Sequence, residues 1–185
     1  MDNDNLRRGQ PTCHVKYGES TALLAGDALL NLAFELMTDS NRYHSINSSQ
    51  AMCVIHEISA CSGTYGMIGG QIVDLACEGA EQVSLETLTY MHECKTGALI
   101  RAAVTAGAII SGAEEIEIQK ISEFSLNLGL AFQIKDDILD FTGDEQLLGK
   151  PIGSDLQSEK VTFVSLLGLE RAQSQLVALT AQACK

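Results

Sequence analysis

The chain has 185 residues, 45% hydrophobic and 19% charged, which is long and apolar enough to bury one core and excludes a disordered chain. Its net charge of −12 excludes nucleic acid as a partner, because phosphate backbones are gripped by clustered Lys and Arg. Any phosphorylated substrate must therefore be met by a local basic cluster or by bound cations. The six cysteines form no C-x-x-C pair, so neither a zinc site nor a disulfide framework is indicated. The N-terminus has no apolar leader core and no stretch approaches the roughly 18 apolar residues of a membrane span. The expectation is a single cytoplasmic domain over 1–185 with no stable membrane insertion.

No proline lies between Pro11 and Pro151, which favours long helices and an all-α fold. Leu23, Leu24, Leu30, Phe34 and Met37 recur near the helical period and predict a helix over 20–37. A second is predicted over 48–77, where Gly63, Gly66, Gly69 and Gly70 imply close approach of neighbouring helices. Ser84 is a good N-cap for a third, over 84–112. A fourth spans 113–143 with Gly143 as its C-terminal stop. After a polar loop at 144–154, a last helix contains Leu166, Leu167, Leu169, Leu176 and Leu179.

The strongest chemical signal is Gln133-Ile134-Lys135-Asp136-Asp137-Ile138-Leu139-Asp140. On a helix, Asp136 and Asp140 share a face, with Asp137 beside them and Gln133 one turn back. Like charges at this spacing repel, and in the last turns they also oppose the negative end of the helix dipole. A solvated acidic helix end is the bland alternative. The apolar neighbours Leu130, Phe132, Ile134 and Ile138 argue instead for a buried helix whose carboxylates line a cavity and take a cation. A hard ion such as Mg²⁺ uses one or two carboxylates plus substrate phosphate oxygens, which points to diphosphate chemistry. Arg7-Arg8-Gly9, Lys95-Thr96-Gly97, Lys150 and Lys160 supply the counter-charge that an acidic chain needs to hold diphosphates.

These segments resemble, in order and approximate spacing, the motifs of short-chain isoprenyl diphosphate synthases, close to bacterial farnesyl and geranylgeranyl diphosphate synthases. The resemblance is carried by Asp2 to His14, Ala25-Gly26-Asp27, Gly69-Gly70-Gln71, Lys95-Thr96-Gly97 and Gly129 to Asp140. It implies an antiparallel helix bundle and a prenyl transfer in which an allylic diphosphate ionises, isopentenyl diphosphate attacks the carbocation, and a proton is lost. Mg²⁺ would be the electrophilic trigger. Asp136, Asp140 and Asp137 would hold Mg²⁺, with Asp2 matching the last aspartate of the family's first acidic motif. Arg7, Lys95 and Lys150 would bind the allylic diphosphate and Arg8 isopentenyl diphosphate, with Thr96 and Gln133 near the reacting carbons and Lys160 closing the rim.

The paired aspartates that open the first motif, and the family's final helices, have no counterpart in the chain. The expectation is therefore a bundle incomplete at both ends and impaired on its own, with product length undetermined. A homodimer is expected from the resemblance. The alternative is a non-catalytic partner subunit of a complete synthase, against which stands the retention of mutually repulsive carboxylates on one helix face. His56-Glu57 lacks the second His of a zinc protease motif, and Gly143 to Lys150 has the wrong spacing for a phosphate-binding loop. Gly26-Asp27 is read as either functional or a buried Asp bonded to a neighbouring helix.

Overall fold

With no proline to interrupt them, the intervening segments wind into helices, and the computed structural model, which describes residues 3–80, 82–142 and 160–184, is helical almost throughout. The exception among the described residues is a short hairpin of β1 (Leu6–Arg7) and β2 (Gln10–Pro11). Its turn places Arg8 and Gly9 in the left-handed region, at φ 52° and 73°, as a two-residue hairpin turn requires. Thr12 closes it, donating from its hydroxyl to the Asp4 carbonyl at 2.7 Å.

Helices α1 (Cys13–Tyr17) and α2 (Glu19–Thr38) follow. No residue of α2 is buried, so Asp27 is exposed and the expectation of a buried, bonded Asp27 does not hold. By length and composition α2 is also apolar enough to cross a membrane, which corrects the expectation that no segment approaches that limit. The segment read as one helix over 48–77 is two, α3 (Ser48–Ser62) and α4 (Met67–Cys77). The reason is tight backbone crowding between them: a Cβ on Gly66 would collide with the Cys61 backbone and one on Gly69 with the Thr64 carbonyl. An Asn47–Gln50 capping box opens α3.

Ser84 caps α5 (Leu85–His92) as expected, its hydroxyl accepting from the Thr87 amide at 3.0 Å. The helix then widens into a π turn, Glu93–Gly97, before continuing as α6 (Ala98–Ile110). A short turn reverses the chain into α7 (Glu115–Thr142). The last helix is also divided, at Gly168 (φ 78°), into α8 (Phe163–Leu167) and α9 (Leu169–Ala183).

Helix α9 packs along α7, α3 along α6, and α6 along α7, giving the expected all-α bundle. Its main core joins Leu88 and Met91 of α5, Leu130, Ile134 and Ile138 of α7, Phe163 and Val164 of α8, and Ala172 of α9. Between α3 and α6, Arg101 donates to Glu57 at 3.2 Å and to the Cys61 sulfur at 3.0 Å. Glu57 is thus a packing residue, and burial pushes the Cys61 thiol up.

Candidate active site

Two glycines let three backbones meet at the π turn. A Cβ on Gly70 of α4 would overlap the Lys95 backbone, and one on Gly129 of α7 would lie 2.8 Å from the Gly97 Cα. The glycine-rich pattern noted in the sequence therefore places α4 and α7 directly against the turn that carries Lys95 and Thr96. Such π turns interrupt the regular ladder and occur often where a helix must offer side chains to a site.

Each neighbour then supplies a partner. Lys95 Nζ donates to Asp74 Oδ2 of α4 at 2.6 Å, and Gln71 donates to the same oxygen at 3.2 Å. Asp74 is 8% exposed, so a buried carboxylate here is costly without these donors. On the α7 side, Thr96 donates to Gln133 Oε1 at 3.4 Å and Gln133 Nε2 donates to Asp137 Oδ1 at 3.1 Å. The Phe163 amide donates to Asp137 Oδ2 at 2.8 Å. Asp137 thus anchors the start of α8, and Lys95, Thr96, Gln133 and Asp137 form one connected cluster.

The three expected carboxylates divide by environment. Asp136 is half-buried, whereas Asp137 and Asp140 are each 4% exposed. Asp137 and Asp140 line a cavity of about 180 Å³ with Phe141, Lys160, Thr162 and Val164. The cavity brings Lys160 to the same end of α7 as Asp137 and Asp140, while Asp136, expected to share a face with Asp140, is not among the residues that line it. Among the described residues no group of three His, Cys, Asp or Glu is poised to hold a metal. A hard cation can take as few as one or two carboxylates and complete its shell with phosphate oxygens and water, so it does not need such a group.

Arg7 and Arg8 project from the exposed hairpin, and among the described residues no hydrogen bond or ion pair joins them to this cluster. Asp2 and Lys150 lie outside the described residues, as does Gly143. Sequence reasoning missed two residues. Asp74 was detectable as the lone acid in the apolar run Met67–Cys77. His92, at the end of α5, is 7% exposed and stacks on Phe163 at 5.5 Å. Burial, assisted by the Lys95 charge, pushes its pKa down to about 4, with Asp74 acting in the opposite sense.

The sequence profile of the polyprenyl synthetase family matches residues 1–184. The chain is 44% identical over 183 residues to a geranylgeranyl diphosphate synthase of Cyanophora paradoxa, covering 99% of this chain and 60% of that protein. It is 47% identical over 176 residues to the farnesyl diphosphate synthase of Escherichia coli strain K12, covering 95% of this chain and 58% of that protein. A crystal structure of the geranyltransferase of Helicobacter pylori, complexed with magnesium and isoprenyl diphosphate, superposes with a TM-score of 0.86 at 42% identity, covering 99% of this chain and 58% of that one. The chain therefore spans about three fifths of the length of these relatives. Similar over nearly its whole length in sequence and in fold, the chain belongs to the polyprenyl synthetase family.

Proposed function

We propose that the chain carries the prenyl-transfer chemistry of its relatives, condensing isopentenyl diphosphate with an allylic diphosphate to give farnesyl diphosphate or a similar short-chain product. The observation that carries this reading is the convergence of Lys95, Thr96, Gln133 and Asp137 on one helix-packing seam, one turn from Asp136. In the reaction the allylic C–O bond breaks and diphosphate leaves with the bonding pair. The terminal carbon of isopentenyl diphosphate forms the new C–C bond, and a proton is lost from the adduct.

The chain's own residues contribute positioning and charge. Lys95, Arg7 and Lys150 hold the allylic diphosphate and Arg8 the isopentenyl diphosphate. Asp136, Asp137 and Asp140, with Asp2, would hold Mg²⁺, which would supply positive charge to the departing diphosphate. Asp137, whose two oxygens accept from Gln133 and the Phe163 amide, orients Gln133 toward Thr96 near the reacting carbons. Lys160 closes the rim over the same end of α7.

The exposed apolar face of α2 supports a homodimer, since Leu23, Leu24 and Leu30 are 69%, 65% and 53% exposed. Asp27 near the middle of α2 weighs against insertion in a membrane.

Mg²⁺-dependent incorporation of labelled isopentenyl diphosphate into lipid-soluble product tests the reading, in this chain and in a version extended upstream in its reading frame. Turnover is expected in the extended chain and is abolished by Asp136→Ala. No turnover with any allylic primer would leave the non-catalytic partner as the better account.

A further inference from the structure

His92 is a histidine in an apolar place. It ends α5, three residues before Lys95, and is 7% exposed. Its ring stacks on Phe163, and among the described residues neither ring nitrogen has a hydrogen-bond partner. A buried polar group without a partner costs stability, and Phe or Leu would fill the same space against Phe163 without that cost. Packing alone does not choose histidine here.

The charges that reach the ring are those of Lys95 and Asp74, and burial keeps the imidazole neutral. The Lys95–Asp74 pair, at 2.6 Å, faces a conflict if Lys95 is also to hold a diphosphate. When the ammonium leaves, Asp74 stays buried with the Gln71 amide at 3.2 Å as its remaining hydrogen-bond donor on α4. A buried carboxylate stripped of its cation is costly unless another donor replaces it.

We propose that His92 is a positioning residue, the reserve hydrogen-bond donor that turns to Asp74 when Lys95 moves to a bound diphosphate. A neutral imidazole suits the task. It donates one N–H to the carboxylate, and it adds no positive charge that would compete with Lys95 for the diphosphate. The inference rests on the reading of Lys95 as a diphosphate ligand.

Calorimetric titration of the whole chain with inorganic diphosphate in excess Mg²⁺ tests it, using wild type, His92→Phe, His92→Gln, Asp74→Asn and the His92→Phe/Asp74→Asn double variant. His92→Phe should leave the free chain at least as thermally stable as wild type and weaken binding about tenfold, the effect of losing one charge-assisted hydrogen bond. His92→Gln, which keeps an N–H donor, should hold near wild-type affinity. In the Asp74→Asn background, where no buried charge needs a partner, His92→Phe should change binding less than about twofold. A merely structural histidine would instead lower stability in both backgrounds and show no coupling to Asp74 that depends on diphosphate. Wild-type affinity in His92→Phe, or equal losses in the Gln and Phe variants, overturns the proposal and leaves the diphosphate reading intact. Absence of any Mg²⁺-dependent binding by wild type overturns that reading and the inference with it.

Discussion

Helices α2 and α7 are both long and rich in apolar residues, yet the chain uses them in opposite ways. Helix α2 buries none of its residues, and Leu23 and Leu24 are 69% and 65% exposed. Helix α7 buries Ile134 completely and takes Asp137 and Asp140 down to 4% exposure. Apolar content is therefore a poor guide to which helix builds the core, because it reports how much surface a helix can bury and not against what. Asp137 goes inward on α7 because the Phe163 amide at the start of α8 supplies a donor to receive it. On α2 the leucines are presented to whatever lies outside this chain.

The sharpest way to break this contrast is to force α4 off the Lys95 turn. Gly70→Ala puts a methyl group into the Lys95 backbone, and overpacking against backbone should cost roughly 3 kcal/mol or more. Chemical denaturation should show that loss together with weakened diphosphate binding, while Gly26→Ala on α2, which has open space around it, should be close to neutral or stabilising.

Asp137→Ala should come next. It leaves the Phe163 amide and the Gln133 side-chain amide without their acceptor, and losing a buried charged acceptor should cost about 2–3 kcal/mol. Faster hydrogen exchange at the Phe163 amide would show that α8 has been released. Exchange unchanged there would mean that the carboxylate is not what anchors the helix.

His92 gives a smaller effect with a defined pH window. Its folded pKa, about 4, lies below the usual value of 6.5. Between those values the unfolded chain takes up a proton that the folded chain refuses, so this contribution to stability is intact above about pH 6.5 and is lost as pH falls toward 4. Going from about pH 7.5 to pH 5 should cost wild type about 2 kcal/mol more than His92→Phe, read as the difference between their urea midpoints. Parallel pH profiles of the two proteins would show that His92 is charged or absent from this linkage.

The smallest effect on folding belongs to α2. Leu24→Lys should alter stability by no more than about 0.5 kcal/mol, because the side chain is already exposed. It should nonetheless shift the sedimentation behaviour toward monomer if the α2 face joins two copies. A large loss of stability with no change in association would reverse the contrast between the two helices.

Much of the helical plan was legible because it depends on local signals. Ser84 caps α5 and the apolar period marks α2 and α7. The breaks at 63–66 and at Gly168 were not, since glycine in an apolar run is compatible with either a packed helix or a sharp turn, and only the partner backbone decides. The acidic face of α7 was legible from its unfavourable repulsion. Asp74 stood out only as a lone acid in an apolar run and His92 looked ordinary, because each acquires its meaning from Lys95, which three-dimensional packing brings beside them. The hairpin was missed because Arg8 supplies a left-handed turn residue that sequence preferences assign to Asn, Asp or Gly.

The central claim is that the acidic face of α7 and the Lys95 turn together make a cation-assisted diphosphate site. Calorimetric titration with inorganic diphosphate, with and without Mg²⁺, tests it most directly when wild type is compared with Asp136→Ala. The account predicts binding by wild type only when Mg²⁺ is present and its loss in Asp136→Ala, with the fold intact by circular dichroism. Equal binding by the two proteins, or binding that ignores Mg²⁺, would contradict it.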